Sequence, residues 1–191
     1  MPTPAHTSLD EIVRAGRRLL ERDGLDRLTM QRVAESVGVR APSLYKRIDG
    51  RAELIRLIAE DVVGELAGIL DASETGDARE DLGALARAFR AFAHANPAAY
   101  DLVFARLPEG HEIDPQTNAR SSASIIRTAG HLAGAEHALD AARMVVAWAH
   151  GFVSMELAGA FRLGGDVDEA FEFGIGRLAA AIADTRTSGP A

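Results

Sequence analysis

Arg40, Ser43, Tyr45, Lys46 and Arg47 bring guanidinium, ammonium, hydroxyl and phenol groups together within one short stretch of the chain. Cations and hydroxyls bind phosphate oxygens, and arginine, lysine and serine also pair with base edges, so this set suits a groove of duplex nucleic acid. Such chemistry needs a rigid support. Pro42 fits the first turn of a helix, where its missing amide proton costs nothing, and Leu44 and Ile48, four apart, face away from the polar set.

The segment just before supplies the surface those two residues face. Met30, Val33, Ala34 and Val37 fall at i, i+3, i+4 and i+7, one apolar stripe on a helix of roughly two turns. Thr29 stands ahead of it as an N-cap, its hydroxyl placed to accept from first-turn amides. Gly38 ends the helix in the conformation glycine tolerates best, and Val39 then turns inward. Two short helices joined by a glycine also occur in many all-α proteins, and basic residues on an outer face are ordinarily just solvated.

The string from Thr29 to Leu54 is more particular than that generic pattern. Through Leu28-Thr29, Val33-Ala34, Val37-Gly38-Val39, Ser43-Leu44-Tyr45 and Gly50-Arg51-Ala52-Glu53-Leu54 it resembles the DNA-binding region of the TetR family of bacterial transcriptional regulators. It departs at Ile48, where the family usually carries an aromatic, and at Arg51, where lysine is commoner. The resemblance implies that Thr29 and Tyr45 hydrogen-bond phosphate and that Arg51 is the cation at the start of a fourth helix. It also implies that Arg40 and Ser43 reach base edges and that Lys46 and Arg47 touch phosphate or guanine. Capping for Thr29 and packing against the first helix for Tyr45 are the structural alternatives.

Composition agrees once charge is divided along the chain. The formal charge is −7, but residues 1–56 hold 11 Lys or Arg against 8 Asp or Glu and the remainder holds 10 against 20. A positive N-terminal part can bind phosphates by counterion release while the acidic part stays off the duplex. With no cysteine there is neither a disulfide framework nor a thiolate metal site. His6, His94, His111, His131, His137 and His150 lack the spacing to carboxylates of a helical zinc site, so no metal or cofactor is expected. The N-terminal MPTPAHTS has no basic and apolar regions of an export signal, and the apolar run Met144–Phe161 is interrupted by His150, Gly151, Ser154, Glu156 and Gly159. A cytoplasmic protein without a membrane span is expected.

Helical periodicity runs through the chain, giving an all-α fold of about nine helices. The first is predicted from Ser8, with Glu11 completing a capping box, to Asp23-Gly24, with Leu9, Ile12, Val13, Gly16, Leu19 and Leu20 as its apolar face. The fourth runs from Arg51 to about Leu70, with Leu54, Leu57, Ile58, Val62, Leu66 and Ile69 as its stripe. DASETGDARED reads as a loop, and a helix from Asp81 carries Leu82, Leu85, Phe89, Phe92 and Ala93. Asn96-Pro97 breaks it, PAAYDLVF makes a short helix, LPEGHEIDPQ is a loop, and another helix covers Gln116 to about Leu132. The predicted division is a helix-turn-helix domain at 1–52 and a larger helical domain, for effector binding and dimerisation, at 53–191.

An almost wholly apolar helix is predicted from Ala138 or Asp140 to Leu163, and Asp166 caps a last one bearing Val167, Ala170, Phe171, Gly174, Leu178 and Ile182. Gly174 and Gly176 each weaken that helix by up to about 1 kcal/mol, which points to a close helix approach. Two copies of this hairpin would make a four-helix interface, with Val146, Ala149, Val153, Leu157, Phe171, Gly174 and Leu178 as candidates. Dimers formed in this way are also what the family resemblance implies, on a double-stranded operator. Met144, Trp148, Phe152 and Met155, with Phe89, Phe92, Tyr100 and Phe104, are candidate walls for an apolar small-molecule effector, oriented by His94, Tyr100, Arg127 or His131. A plain core is the competing reading of that stripe. Trp148-Ala149-His150-Gly151 resembles a Trp-x-His-Gly signature of one class of TetR-type C-terminal domains. Glu156, the sole carboxylate of the run, is expected to be paired. A dimeric repressor released by a ligand is the first reading. A regulator whose body only dimerises is the second, and a helical enzyme or interaction module the third, for which no nucleophile and base, metal set or phosphate loop is found.

Overall fold

A computed structural model describes residues 7–184; His6 and most of the MPTPAHTS segment lie outside them. Nine α-helices are present among the described residues: α1 Leu9–Asp23, α2 Met30–Ser36, α3 Ala41–Leu44, α4 Gly50–Asp71, α5 Ala78–Ala95, α6 Pro97–Val103, α7 Pro115–Ala133, α8 Ala138–Leu157 and α9 Val167–Asp184. Among them no helix is long and apolar enough to cross a membrane. Two compact units divide the chain. The first runs to Gly64 and takes in Asn96–Asn118; the second holds Glu65–Ala95 and the chain from Ala119. A single cut after residue 52 therefore does not match these units. The first 15 residues of α4 stay with the N-terminal unit, and α6 joins it from later in the sequence.

In the first unit, α1 opens with the expected capping box: the Glu11 amide donates to Ser8 Oγ at 3.2 Å, and the Ser8 amide to Glu11 Oε2 at 2.8 Å. Ile12, Val13, Ala15, Gly16, Leu19 and Leu20 are buried, while Leu9 at the very start stays exposed. A β-carbon at Gly16 would stand 2.8 Å from Ile58 Cδ1, so this glycine sets how closely α1 approaches α4. Glu21 on α1 accepts from the amides of Ala98 and Ala99, at 3.2 and 2.8 Å, which satisfies donors at the start of α6. Arg17 joins Asp61 on α4 and Asn96 just ahead of α6, both at 3.1 Å.

The apolar stripe of α4 keeps four of its six expected residues and gains others. Leu54, Ile58, Val62, Leu66 and Leu70 are buried together with Ile55, Ala59, Val63 and Ala67, whereas Leu57 and Ile69 are only half-buried. Buried pairs that recur every four residues advance about 40° per step, so the stripe turns around the helix along its length.

In the second unit, α5 starts three residues before the predicted Asp81, because Asp77 Oδ1 accepts from the amides of Arg79 and Glu80 at 2.9 and 3.1 Å. Asp81 itself is buried and accepts from the Thr75 hydroxyl at 2.8 Å, the Thr75 amide and the Gly76 amide at 3.2 Å. Those bonds, led by the Thr75 amide, hold its carboxyl below the usual range. The helix predicted to reach Leu163 stops at Leu157, where Gly159 (φ 62°) forms a Schellman cap: Ala160 N–H bonds Met155 O at 2.9 Å and Gly159 N–H bonds Glu156 O at 2.9 Å. The last helix begins as expected, with Asp166 Oδ1 accepting from Asp168 and Glu169 amides at 2.7 and 3.2 Å.

Candidate nucleic-acid interface

Local rules build the helix-turn-helix. Thr29 Oγ1 accepts from the Arg32 amide at 3.3 Å, which caps α2 and leaves the hydroxyl proton to donate outward. Gly38 (φ 72°) then ends α2 with a second Schellman cap: Val39 N–H bonds Ala34 O at 2.9 Å and Gly38 N–H bonds Glu35 O at 3.2 Å. Leu44 and Ile48 are both buried, so the isoleucine occupies the apolar site where the family usually has an aromatic. Pro42 lies in the first turn of α3, and the Ser43 amide bonds Arg40 O at 2.8 Å.

This arrangement turns Arg40, Ser43, Tyr45, Lys46 and Arg47 outward, all exposed, with Thr29 exposed at the start of α2. Tyr45 is 58% exposed, too much for packing against α1 to be its main role. Among the described residues no salt bridge neutralises Arg40 or Lys46. Elsewhere in this unit cations are used internally: Arg32 pairs with Asp23 at 2.7 Å and donates to Arg27 O at 3.1 Å, and Arg56 bridges Glu53 and Glu60. Arg51 stands exposed in the first turn of α4. Its Nε donates to Leu28 O at 2.7 Å and its Nη2 to Leu25 O at 2.6 Å, which binds it to the segment before α2.

The second unit holds an apolar cleft of about 70 Å³, lined by Leu70, Leu85, Ala86, Phe89, Ile125, Val145, Val146 and Ala149. Among the described residues no polar side chain lines it. Of the aromatics proposed as cavity walls, only Phe89 is present. Tyr100 and Phe104 belong to the first unit, where their rings meet edge-on at 5.8 Å, and Met144 and Met155 are exposed. Phe92 is buried in the core away from the cleft lining. Trp148 and Phe152 pack with Phe171, each at 5.2 Å between ring centroids.

The polar candidates are engaged elsewhere. Arg127 pairs with Glu74 at 2.8 Å and Asp71 at 3.5 Å, and His131 is exposed. His94 meets Glu156 at 3.0 Å. Glu156 is indeed paired: Arg90 donates to it from Nε at 2.8 Å and from Nη2, and Nη2 also reaches Asp168 at 2.6 Å. The Arg90 hydrogen bonds, followed by His94, hold the Glu156 carboxyl below the usual range against the opposing effect of burial.

The two faces of the C-terminal hairpin also need correction. Ala149, Val153 and Phe171, proposed for a dimer seam, are buried inside the protomer, and Val146 lines the cleft. Leu157 and Leu178 are half-buried, and Gly174 lies against Trp148. The exposed large apolar residues of α8 and α9 are Leu139, Met144, Met155 and Phe173, with Phe161 and Leu163 in the connection between them. A helix apolar on all sides carries no local signal of which flank meets its own core, so the register was open until the packing fixed it.

The model for bacterial regulatory proteins of the tetR family matches residues 12–58, and that for the tetracyclin repressor-like C-terminal domain matches residues 82–178. The chain belongs to the TetR family. An HTH-type transcriptional regulator of Mycobacterium tuberculosis, Rv0681, is 31% identical over 97% of this chain and 86% of that relative. The crystal structure of the regulatory protein SCO4313 superposes with a TM-score of 0.73 at 26% identity, covering 93% of this chain and 98% of the other. BioQ, solved with its double-stranded DNA operator, shares the fold with a TM-score of 0.66 at 23% identity over 91% and 96% of the two chains. This TetR-family member is thus a DNA-binding transcriptional regulator and not an enzyme. The exposed cationic surface flanks α3, with Arg40 at its N-cap and Lys46 and Arg47 in the turn after Leu44.

Proposed function

We propose that this regulator is a cytoplasmic homodimer that represses transcription from a palindromic operator and is released by a small apolar ligand. Thr29 and Tyr45 hold phosphate, Arg40 and Ser43 read base edges, and Lys46 and Arg47 touch phosphate or guanine. The observation that carries the ligand part is the apolar cleft, whose walls come from α4, α5, α7 and α8. Leu70 belongs to the same helix as Arg51, so a ligand that displaced α4 at the cleft would act on the helix that begins at the helix-turn-helix. Met144, Met155 and Phe173, with Leu139 on another side of α8, support a dimer through α8 and α9, since exposed apolar side chains on two adjacent helices favour association. The run Trp148-Ala149-His150-Gly151 supports a C-terminal domain of the Trp-x-His-Gly class.

The size of the cleft favours a second reading, a dimeric regulator without an effector. At about 70 Å³ it is roughly half the ~150 Å³ of an engineered cavity that admits benzene. Selecting duplexes from a random pool, then screening hydrophobic compounds for release, tests both readings. A palindrome bound with a steep salt dependence, and released by a compound that no longer acts on Ala149→Phe, supports the first. Release by no compound supports the second. Loss of salt dependence, or unchanged binding by Arg40→Ala and Tyr45→Phe, removes the proposed DNA contacts altogether.

A further inference from the structure

We infer that Arg51, though exposed, is a positioning residue for DNA recognition, acting as a brace for the segment that carries Thr29, and is not a phosphate contact. This rests on the helix-turn-helix being the DNA-binding face. The Nε and Nη2 edge of its guanidinium is aimed at two carbonyls of the preceding turn, Leu28 O at 2.7 Å and Leu25 O at 2.6 Å. Both are short, charge-assisted bonds, and the fork geometry explains why arginine stands where lysine is commoner. A lysine ammonium is a single point and lacks the flat two-pronged edge.

The consequence follows from the planarity of the peptide bond. Leu28 O and the Thr29 amide share one rigid plane, so fixing that oxygen fixes the backbone from which the Thr29 side chain springs. The Leu28 side chain is fully buried, which anchors the other side of the same residue. Thr29 is held twice, by Arg51 through the backbone behind it and by the Arg32 amide ahead of it. Since Arg51 lies in the first turn of α4, the brace also joins that helix to the start of α2. A movement of the α4 N-terminus is thereby passed to α2 directly, without waiting on the apolar contacts between helices.

Two variants separate a brace from a phosphate contact: Arg51→Lys keeps the charge and loses the fork, and Arg51→Gln loses both. Affinity is measured per active molecule for the tightest duplex recovered from a random pool, over a range of salt concentrations, with melting temperature recorded in parallel. A brace predicts that both variants lose affinity alike, by roughly tenfold, the scale of the lost charge-assisted bonds, with the wild-type salt slope retained. A phosphate contact predicts that Arg51→Lys binds like wild type and that Arg51→Gln loses about 0.9 from the slope, which would overturn the inference. So would variants that melt lower yet bind with undiminished affinity per active molecule, because the role would then be purely one of stability. Tyr45→Phe serves as the control. If wild-type binding itself shows no salt dependence, the failure belongs to the DNA-binding reading and not to the brace.

Discussion

Alanine holds a helix better than glycine by about 1 kcal/mol, so replacing Gly174 or Gly176 in α9 should stabilise the protein unless a neighbour stands in the way. A β-carbon at Gly174 would lie 2.4 Å from Cζ2 and 3.0 Å from Cε2 of Trp148, whereas nothing lies within 4 Å of one at Gly176. The indole is not free to step aside. Its ring centroid sits 5.2 Å from that of Phe171 and 5.6 Å from that of Phe152, and Phe171 is fully buried. Overpacking costs about 1–3 kcal/mol, the upper half of that range where the ring contacts keep so close an approach from relaxing, and the helix-propensity gain of about 1 kcal/mol leaves Gly174→Ala about 1–2 kcal/mol less stable. For a chain of this length that is a fall of about 3–6 °C in Tm. Gly176→Ala should move the other way, by up to about 1 kcal/mol. Urea unfolding followed by circular dichroism and by the fluorescence of Trp148, the sole tryptophan, measures both. Several protomer concentrations separate folding from association. If Gly174→Ala were as stable as the wild type, or no less stable than Gly176→Ala, the claim that Gly174 sets the approach of α8 and α9 would be wrong.

Further outcomes are expected from single groups. Glu156 has a folded pKa below its unfolded value, so the stability it contributes is present above the ordinary carboxylate value of 4.5 and is lost as pH falls through the lower folded value. Glu156→Gln should therefore flatten the acid limb of a stability–pH curve, and an unaltered limb would assign that limb to other carboxylates. Ser8→Ala removes the capping box of α1 and should cost about 1 kcal/mol in thermal denaturation; no change would mean that water caps the helix equally well.

The sequence by itself determined the parts that depend on a few neighbouring residues. The capping box at Ser8, the Thr29 cap, the glycine stop at Gly38 and the exposed set on and around α3 all follow from interactions within about five positions, which hydrophobic period and cap chemistry describe. Gly174 also announced a close approach, because a glycine in a helix needs a reason. Tertiary structure alone decided which flank of α8 meets its own core: Ala149 and Val153 turn inward while Met144 and Met155 face out, although all four are apolar. It alone gave Glu156 its partner Arg90, 66 positions away, and turned Arg51 onto Leu25 and Leu28, 26 and 23 positions away. The physical reason is common to these cases. Apolar burial is non-directional and a charged side chain accepts any suitably placed partner, so only the packing of distant segments selects one face or one partner from several that local chemistry permits.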